Sequence, residues 1–73
     1  MTKTEAAEII GLEVRVFARE HGLSIDKDLV EARMSEAIHL GGVYPEAAQV
    51  APSWKTILRL ARKWAEADED EEF

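Results

Sequence analysis

The chain has 73 residues, of which 47% are hydrophobic and 33% are charged, and its formal net charge is −6. It contains no cysteine and two histidines, which excludes disulfides and thiolate ligands and leaves too few imidazoles for an all-protein zinc site. A chain this short is near the lower limit for a self-sufficient core, so we expect no cofactor and a fold held together by helix packing.

The first predicted helix spans residues 3–20. Thr2 and Glu5 have the spacing of a capping box, which places the start of the helix, and Gly22 supplies a left-handed stop after its end. The apolar residues cover a wide arc, so one stripe is left over after a single face has packed. Gly11 costs about 1 kcal/mol relative to alanine inside a helix, and the sequence leaves open whether the helix breaks there.

The second predicted helix spans residues 27–40. Ser24, Asp26 and Asp28 are alternative N-caps, since each has a short acceptor side chain. Asp28 with Glu31 has the better capping-box spacing, whereas Asp26 gives the helix an extra turn. Gly41 and Gly42 end the helix. Its predicted buried stripe consists of Leu29, Val30, Met34, Ala37 and Ile38.

A short helical turn is predicted at residues 45–50. Pro45 suits the first position of a helix, where its missing N–H has no partner to lose. Pro52 prevents this turn from running straight into the last helix. Tyr44 and Val50 are expected to pack on the core.

The last predicted helix spans residues 53–66, with Ser53 as its N-cap, and it has the strongest amphipathic pattern of the chain. Seven apolar residues fall within one arc of roughly 160°. They are Trp54, Ile57, Leu58, Leu60, Ala61, Trp64 and Ala65. Because this arc includes both tryptophans, we expect the core to form against it.

The charges are segregated along the C-terminal part of the chain. Residues 54–65 contain four bases and no acid, whereas residues 66–73 contain six acids and no base. Adjacent acids repel one another and lie at the negative end of the helix dipole, so the helix is expected to fray near Ala67. The sequence therefore predicts one helical domain over residues 1–67 and a flexible acidic tail over residues 68–73.

The predicted fold is an all-α bundle of three main helices with the short turn and the acidic tail. No internal repeat and no strand-like alternation long enough for a sheet is present. The chain begins with polar and charged residues and has only short apolar runs, so we expect no signal peptide, no membrane span and a cytoplasmic location.

The basic face of the last helix is the first candidate functional surface. It consists of Lys55, Arg59, Arg62 and Lys63. Such a face contacts DNA phosphates or an acidic partner, or it is a solvated surface that balances the acids elsewhere. The acidic tail is a solubilising end, or a segment that folds back on this basic face, or one that mimics phosphate toward a basic partner.

The surplus apolar stripe of the first helix is the second candidate. Ile9, Leu12 and Val16 form a seam for a second subunit or another protein, or they are covered on both sides by the other helices.

Two short segments resemble helix-turn-helix proteins of the MerR and excisionase types. Residues 5–11, Glu-Ala-Ala-Glu-Ile-Ile-Gly, are similar to their first helix and turn, and residues 18–23, Ala-Arg-Glu-His-Gly-Leu, to the end of their recognition helix. The resemblance implies DNA binding by the first half of the chain. Residues 12–17 are too few for the turn and most of a second helix, so no base-contacting residue is assigned.

Catalysis is the least expected class of function. The two histidines fall in the last turns of predicted helices, where the helix dipole favours a cation, and no nucleophile pattern or glycine-rich phosphate loop accompanies them. The carboxylates lack the spacing of a metal site. A short helical chain also offers little concavity for a small-molecule substrate.

The sequence therefore predicts a small non-enzymatic interaction protein that binds another protein or itself through a helix face. The alternative is a small DNA-binding regulator that uses the basic face or a divergent helix-turn-helix. Small acidic helical proteins without cysteine are frequent among phage and bacterial accessory factors.

Overall fold

The computed structural model describes the backbone of residues 1–70 and the side chains of residues 1–67. Within these residues the fold is all-helical, as predicted. It has four helices: α1 (Lys3–His21), α2 (Lys27–Ala37), α3 (Val43–Gln49) and α4 (Trp54–Asp70). Helix α1 packs against each of the other three, most extensively against α4.

Helix α1 begins and ends where its capping residues predict. Thr2 Oγ1 accepts a hydrogen bond from Glu5 N at 3.0 Å, and Glu5 Oε1 accepts one from Thr2 N at 3.3 Å. Gly22 follows the helix in the left-handed conformation, with φ of 63°, and its N–H donates to the Ala18 carbonyl. Both hydrogen bonds of the capping box are therefore present.

Gly11 lies inside α1 and does not break it, because α4 passes close to this position. A Cβ atom on residue 11 would lie 3.2 Å from Trp64 Cζ3, and 3.5 Å from both the Ile57 carbonyl oxygen and Leu60 Cβ. Glycine is the residue that leaves room for this approach. Glycine costs about 1 kcal/mol in helix propensity relative to alanine, and the close packing of the two longest helices opposes this cost.

The helix-turn-helix resemblance does not extend to the fold. Residues 5–11 and most of residues 18–23 lie in the same uninterrupted helix, so the turn that the resemblance places at Gly11 is not formed. The first half of the chain therefore contains no helix-turn-helix at this position.

Asp26 is the N-cap of α2. Its Oδ1 atom accepts a hydrogen bond from Leu29 N at 2.9 Å, so the cap is Asp26 and neither Ser24 nor Asp28, whose spacing to Glu31 favours it in the sequence. The predicted end at residue 40 is wrong, because α2 ends at Ala37. Beyond it, Leu40 N donates to the Ala37 carbonyl, which closes a tighter turn than an α-helix does.

The predicted burial of Ile38 is also wrong. This side chain is 58% exposed, because it lies just beyond the end of α2 and no longer continues the buried stripe. The stripe runs through Val30, Arg33 and Ala37 instead, with Leu29 and Met34 half-buried.

Helix α3 begins two residues earlier than predicted, at Val43, and ends at Gln49. Pro45 is then its third residue and still lies in the first turn, where backbone N–H groups have no partner inside the helix. Tyr44 and Val50 pack against the core, as predicted. Ala51, with φ of 55°, and Pro52 form the bend into α4.

Helix α4 continues to Asp70, beyond the predicted fraying at Ala67. Alanine and glutamate are strong helix formers, and no glycine or proline follows residue 66 in the sequence. This propensity outweighs the repulsion among the acids over residues 67–70. The last part of the predicted acidic tail, residues 71–73, lies outside the described residues.

The core forms against the apolar face of α4, as predicted, but the tryptophans are at its margin. Ile57 and Ala61 are fully buried, whereas Trp54 and Trp64 are half-buried. The buried cluster is rich in small side chains, which let the helices approach closely. It comprises Ala6, Ala7, Ile10, Val14, Val30, Ala37, Ala47, Ile57 and Ala61.

Candidate interaction surfaces

Arg33 is buried between α1 and α2 and forms an ion pair with Glu13. The Arg33 side chain is 9% exposed and that of Glu13 is 12% exposed. Arg33 Nε donates to both carboxylate oxygens of Glu13, at 3.0 and 3.1 Å, and Nη2 donates to Glu13 Oε1 at 2.7 Å. The guanidinium also lies 4.0 Å from the centroid of the Phe17 ring and pairs with Glu36.

These contacts keep Arg33 charged. Its hydrogen bonds to Glu13, with a smaller contribution from Glu36, raise the pKa of Arg33 above its ordinary value, although burial opposes this. Sequence reasoning missed the pair. The spacing of residues in the sequence does indicate that Arg33 is buried. It follows Val30 by three residues and precedes Ala37 by four, which places it on the buried stripe of α2.

A groove of about 370 Å³ lies between α1, α2 and the start of α3. Its floor includes the Arg33–Glu13 pair, and its apolar surface is partly open to solvent: Leu12 is 48% exposed, Val16 41% and Leu40 36%. We call this surface the apolar groove. Its lining residues are Leu12, Glu13, Val16, Phe17, Glu20, Arg33, Leu40 and Tyr44.

The three predicted self-association residues lie along two adjoining depressions and differ in exposure. Leu12 and Val16 line the apolar groove, whereas Ile9 is half-buried and packs against the core. Ile9 and Leu12 also line a second, shallower depression of about 480 Å³, beside Trp64. Leu12 therefore lies where the two depressions meet, and the exposed apolar surface is centred on Leu12 and Val16.

The four predicted basic residues of α4 are all exposed and lie together. They share a shallow depression of about 550 Å³ with Trp54, Leu58 and Glu66. Arg62 has a structural contact, because its Nε donates to the Ile25 carbonyl oxygen at 3.0 Å and so holds the α1–α2 connection. Within the part of the chain that the structure describes, Lys55, Arg59 and Lys63 have no ion-pair partner.

Trp54 gives the basic face an aromatic component. Lys27 Nζ lies 4.9 Å and Lys55 Nζ 5.8 Å from the centroid of its ring, within the range of cation–π contact. Lys27 comes from α2, and its approach to Trp54 was not predicted because sequence spacing relates residues only within one helix.

The fold-back of the acidic tail is not formed over residues 68–70. These residues continue the same helix that carries the bases, and a helix cannot turn back onto its own preceding turns. Residues 71–73, the remainder of that hypothesis, lie outside the described residues.

Comparison with protein-family models, with curated proteins and with solved structures found no match to the chain. Within residues 1–70, no helix is both long and apolar enough to cross a membrane. Among the described side chains, those of residues 1–67, no three or more histidine, aspartate or glutamate residues are placed to hold a metal ion.

Proposed function

We propose that this chain is a small non-enzymatic interaction protein that binds a partner protein, or a second copy of itself, through the apolar groove. The supporting observation is the joint exposure of Leu12, Val16 and Leu40 in one concave surface. Single exposed apolar residues are ordinary on protein surfaces. Several of them in one groove on a chain of this size are typical of a binding site.

The groove suits an apolar side chain from a partner helix. Its polar floor is already satisfied, because Arg33 is hydrogen-bonded to Glu13 and Glu36. A partner side chain that covers the floor therefore buries no unpaired charge. Burial of an unpaired charge is the usual free-energy cost of covering a polar site. Glu20 at the margin favours a base next to the apolar anchors of the partner.

The test compares Leu12→Gln with Leu23→Gln. Both leucines are 48% exposed, but only Leu12 lines the groove. Light scattering at micromolar concentration measures self-association, and capture from an extract of the source cells measures binding of another protein. We expect Leu12→Gln to lose the dimer or the captured protein and Leu23→Gln to retain it. If wild type and both variants give the same mass and the same captured proteins, the proposal is wrong.

DNA binding through the basic face is the second candidate. It is favoured by three bases without an ion-pair partner in the described residues and by Trp54 beside them. Titration of labelled duplex DNA over a range of salt concentrations tests it. A DNA-binding chain loses affinity as salt rises, with a log–log slope of about −0.9 per phosphate contacted, and Arg59→Ala lowers that slope. Absence of binding at low salt would exclude this candidate.

A further inference from the structure

The order of charges on α4 opposes the dipole of the helix. Lys55 lies in its first turn, which contains no acid, and its last turn contains no base. Residues 66–70 include four acids. The N-terminal end of a helix favours acids and the C-terminal end favours bases, so this order is unfavourable within a single molecule. A second helix that lay alongside, with its bases and acids in the opposite order, would make the electrostatic interaction with α4 favourable.

The charges also lie on one exposed face. Lys55, Arg59, Arg62 and Glu66 occupy positions i, i+4, i+7 and i+11, a spacing that keeps residues on one side of a helix, and all four are exposed. Glu69 continues the same spacing in the sequence. The face therefore changes from basic to acidic along its length.

We propose that α4 pairs antiparallel with α4 of a second copy of this chain. Positions 62 and 66, and positions 59 and 69, are symmetric about residue 64. An antiparallel pair that crosses there sets Arg62 opposite position 66 of the other copy and Arg59 opposite position 69, and both of these positions are acids in the sequence. The two-fold axis makes every contact occur twice. The arrangement also places the positive end of each helix dipole beside the negative end of the other.

The face offers apolar area as well as charge. Exposed ion pairs alone contribute little to stability. The depression along the basic half also contains Trp54 and Leu58, both half-buried, so a helix laid over it removes apolar surface from water. The α4 face of a second copy supplies both complementary charges and apolar surface.

The second copy fits this face better than a uniformly negative partner. DNA phosphates or a wholly acidic protein that contacted Lys55 and Arg59 would meet Glu66 and the following acids along the same helix. A second α4 carries both signs in the required order.

The test uses two charge-reversed variants of the full chain. Lys55→Glu with Arg59→Glu reverses two of the three bases on this face, and Glu66→Lys with Glu69→Lys makes the face basic throughout. Arg62 is left unchanged because it holds the Ile25 carbonyl. We expect each variant to sediment as a monomer at concentrations where the wild type is a dimer, and an equal mixture of the two to form a heterodimer. The wild-type Kd is expected to rise at least about tenfold between about 0.05 M and about 0.5 M salt, because salt screens exposed charges.

Several results would overturn the α4 pairing. The first is that the wild type is monomeric at low salt. The second is that the dimer survives either charge reversal. The third is that the two variants fold, as shown by circular dichroism, but do not form a heterodimer. Binding of duplex DNA by a wild-type monomer would also overturn it. Leu12→Gln separates this proposal from the function proposed above. Loss of the dimer in Leu12→Gln but not in the charge-reversed variants would place the dimer at the apolar groove instead.

Discussion

The Arg33–Glu13 pair shows how one position can depart from its apolar pattern without disrupting the fold. Both side chains are nearly buried, and each satisfies the charge of the other. Such a pair contributes little net stability compared with apolar residues of the same shape, but removal of one partner leaves a buried charge uncompensated. Since the pKa of Arg33 is raised in the folded state, its contribution to stability persists below the ordinary pKa of arginine and is lost only as the pH rises through the higher folded-state value.

Glu13→Ala is expected to lower the free energy of unfolding by about 3 kcal/mol, because Arg33 would stay buried with its main partner removed. Glu36→Ala is the matched control. It removes the other carboxylate that contacts Arg33, but the side chain of Glu36 is 65% exposed, so the expected loss is below about 1 kcal/mol. Urea denaturation followed by circular dichroism measures both. Equal losses would show that burial does not distinguish the two contacts.

At the scale of single helices, a boundary set by a local capping interaction is easier to predict than one set by opposing contributions. The start of α1 depends on Thr2 and Glu5, three residues apart, so the sequence alone contains the whole interaction. The end of α2 depends on a tighter turn after Ala37, and the extent of α4 depends on propensity outweighing charge repulsion. The pattern of residues does not show which of two opposing contributions, such as helix propensity and charge repulsion, is larger.

Asp26→Ala is expected to lower the free energy of unfolding by about 1 kcal/mol, the usual effect of removing an N-cap acceptor. Asp28→Ala is its control, because Asp28 lies in the first turn of α2 and contributes only through the helix dipole. Its expected effect is below about 0.5 kcal/mol. Chemical denaturation of both variants measures the difference. A larger loss for Asp28→Ala would contradict the assignment of Asp26 as the cap.

For the whole molecule, the sequence predicts the all-helical fold and the face of α4 that packs inward. It also predicts the basic face, because residues of one helix at fixed spacing share a side wherever that helix packs. It does not predict the Arg33–Glu13 pair or the approach of Lys27 to Trp54, and it leaves open whether Leu12 is exposed or covered. Each of these depends on contacts between residues of different helices, and the spacing of residues in a single sequence does not reveal those contacts.

The approach of α1 to α4 at Gly11 makes this position sensitive to side-chain size. Gly11→Ala gains about 1 kcal/mol in helix propensity, and its Cβ meets the edge of a half-buried Trp64 ring that can shift slightly, so we expect a net change below about 1 kcal/mol. Gly11→Leu must separate the two helices and is expected to destabilise by about 3 kcal/mol. Denaturation curves for both variants test this. A tolerated leucine would contradict the close approach.

The positions of the two indoles give this chain optical probes of its own folding. Trp64 lies beside Gly11 of α1, and Trp54 lies beside Lys27 of α2, so each reports on a different helix junction with α4. In variants that retain one tryptophan, the emission wavelength therefore records when that junction admits water. Coincident curves would mean that α1 and α2 leave α4 in one cooperative step, and separate curves would reveal which junction opens first.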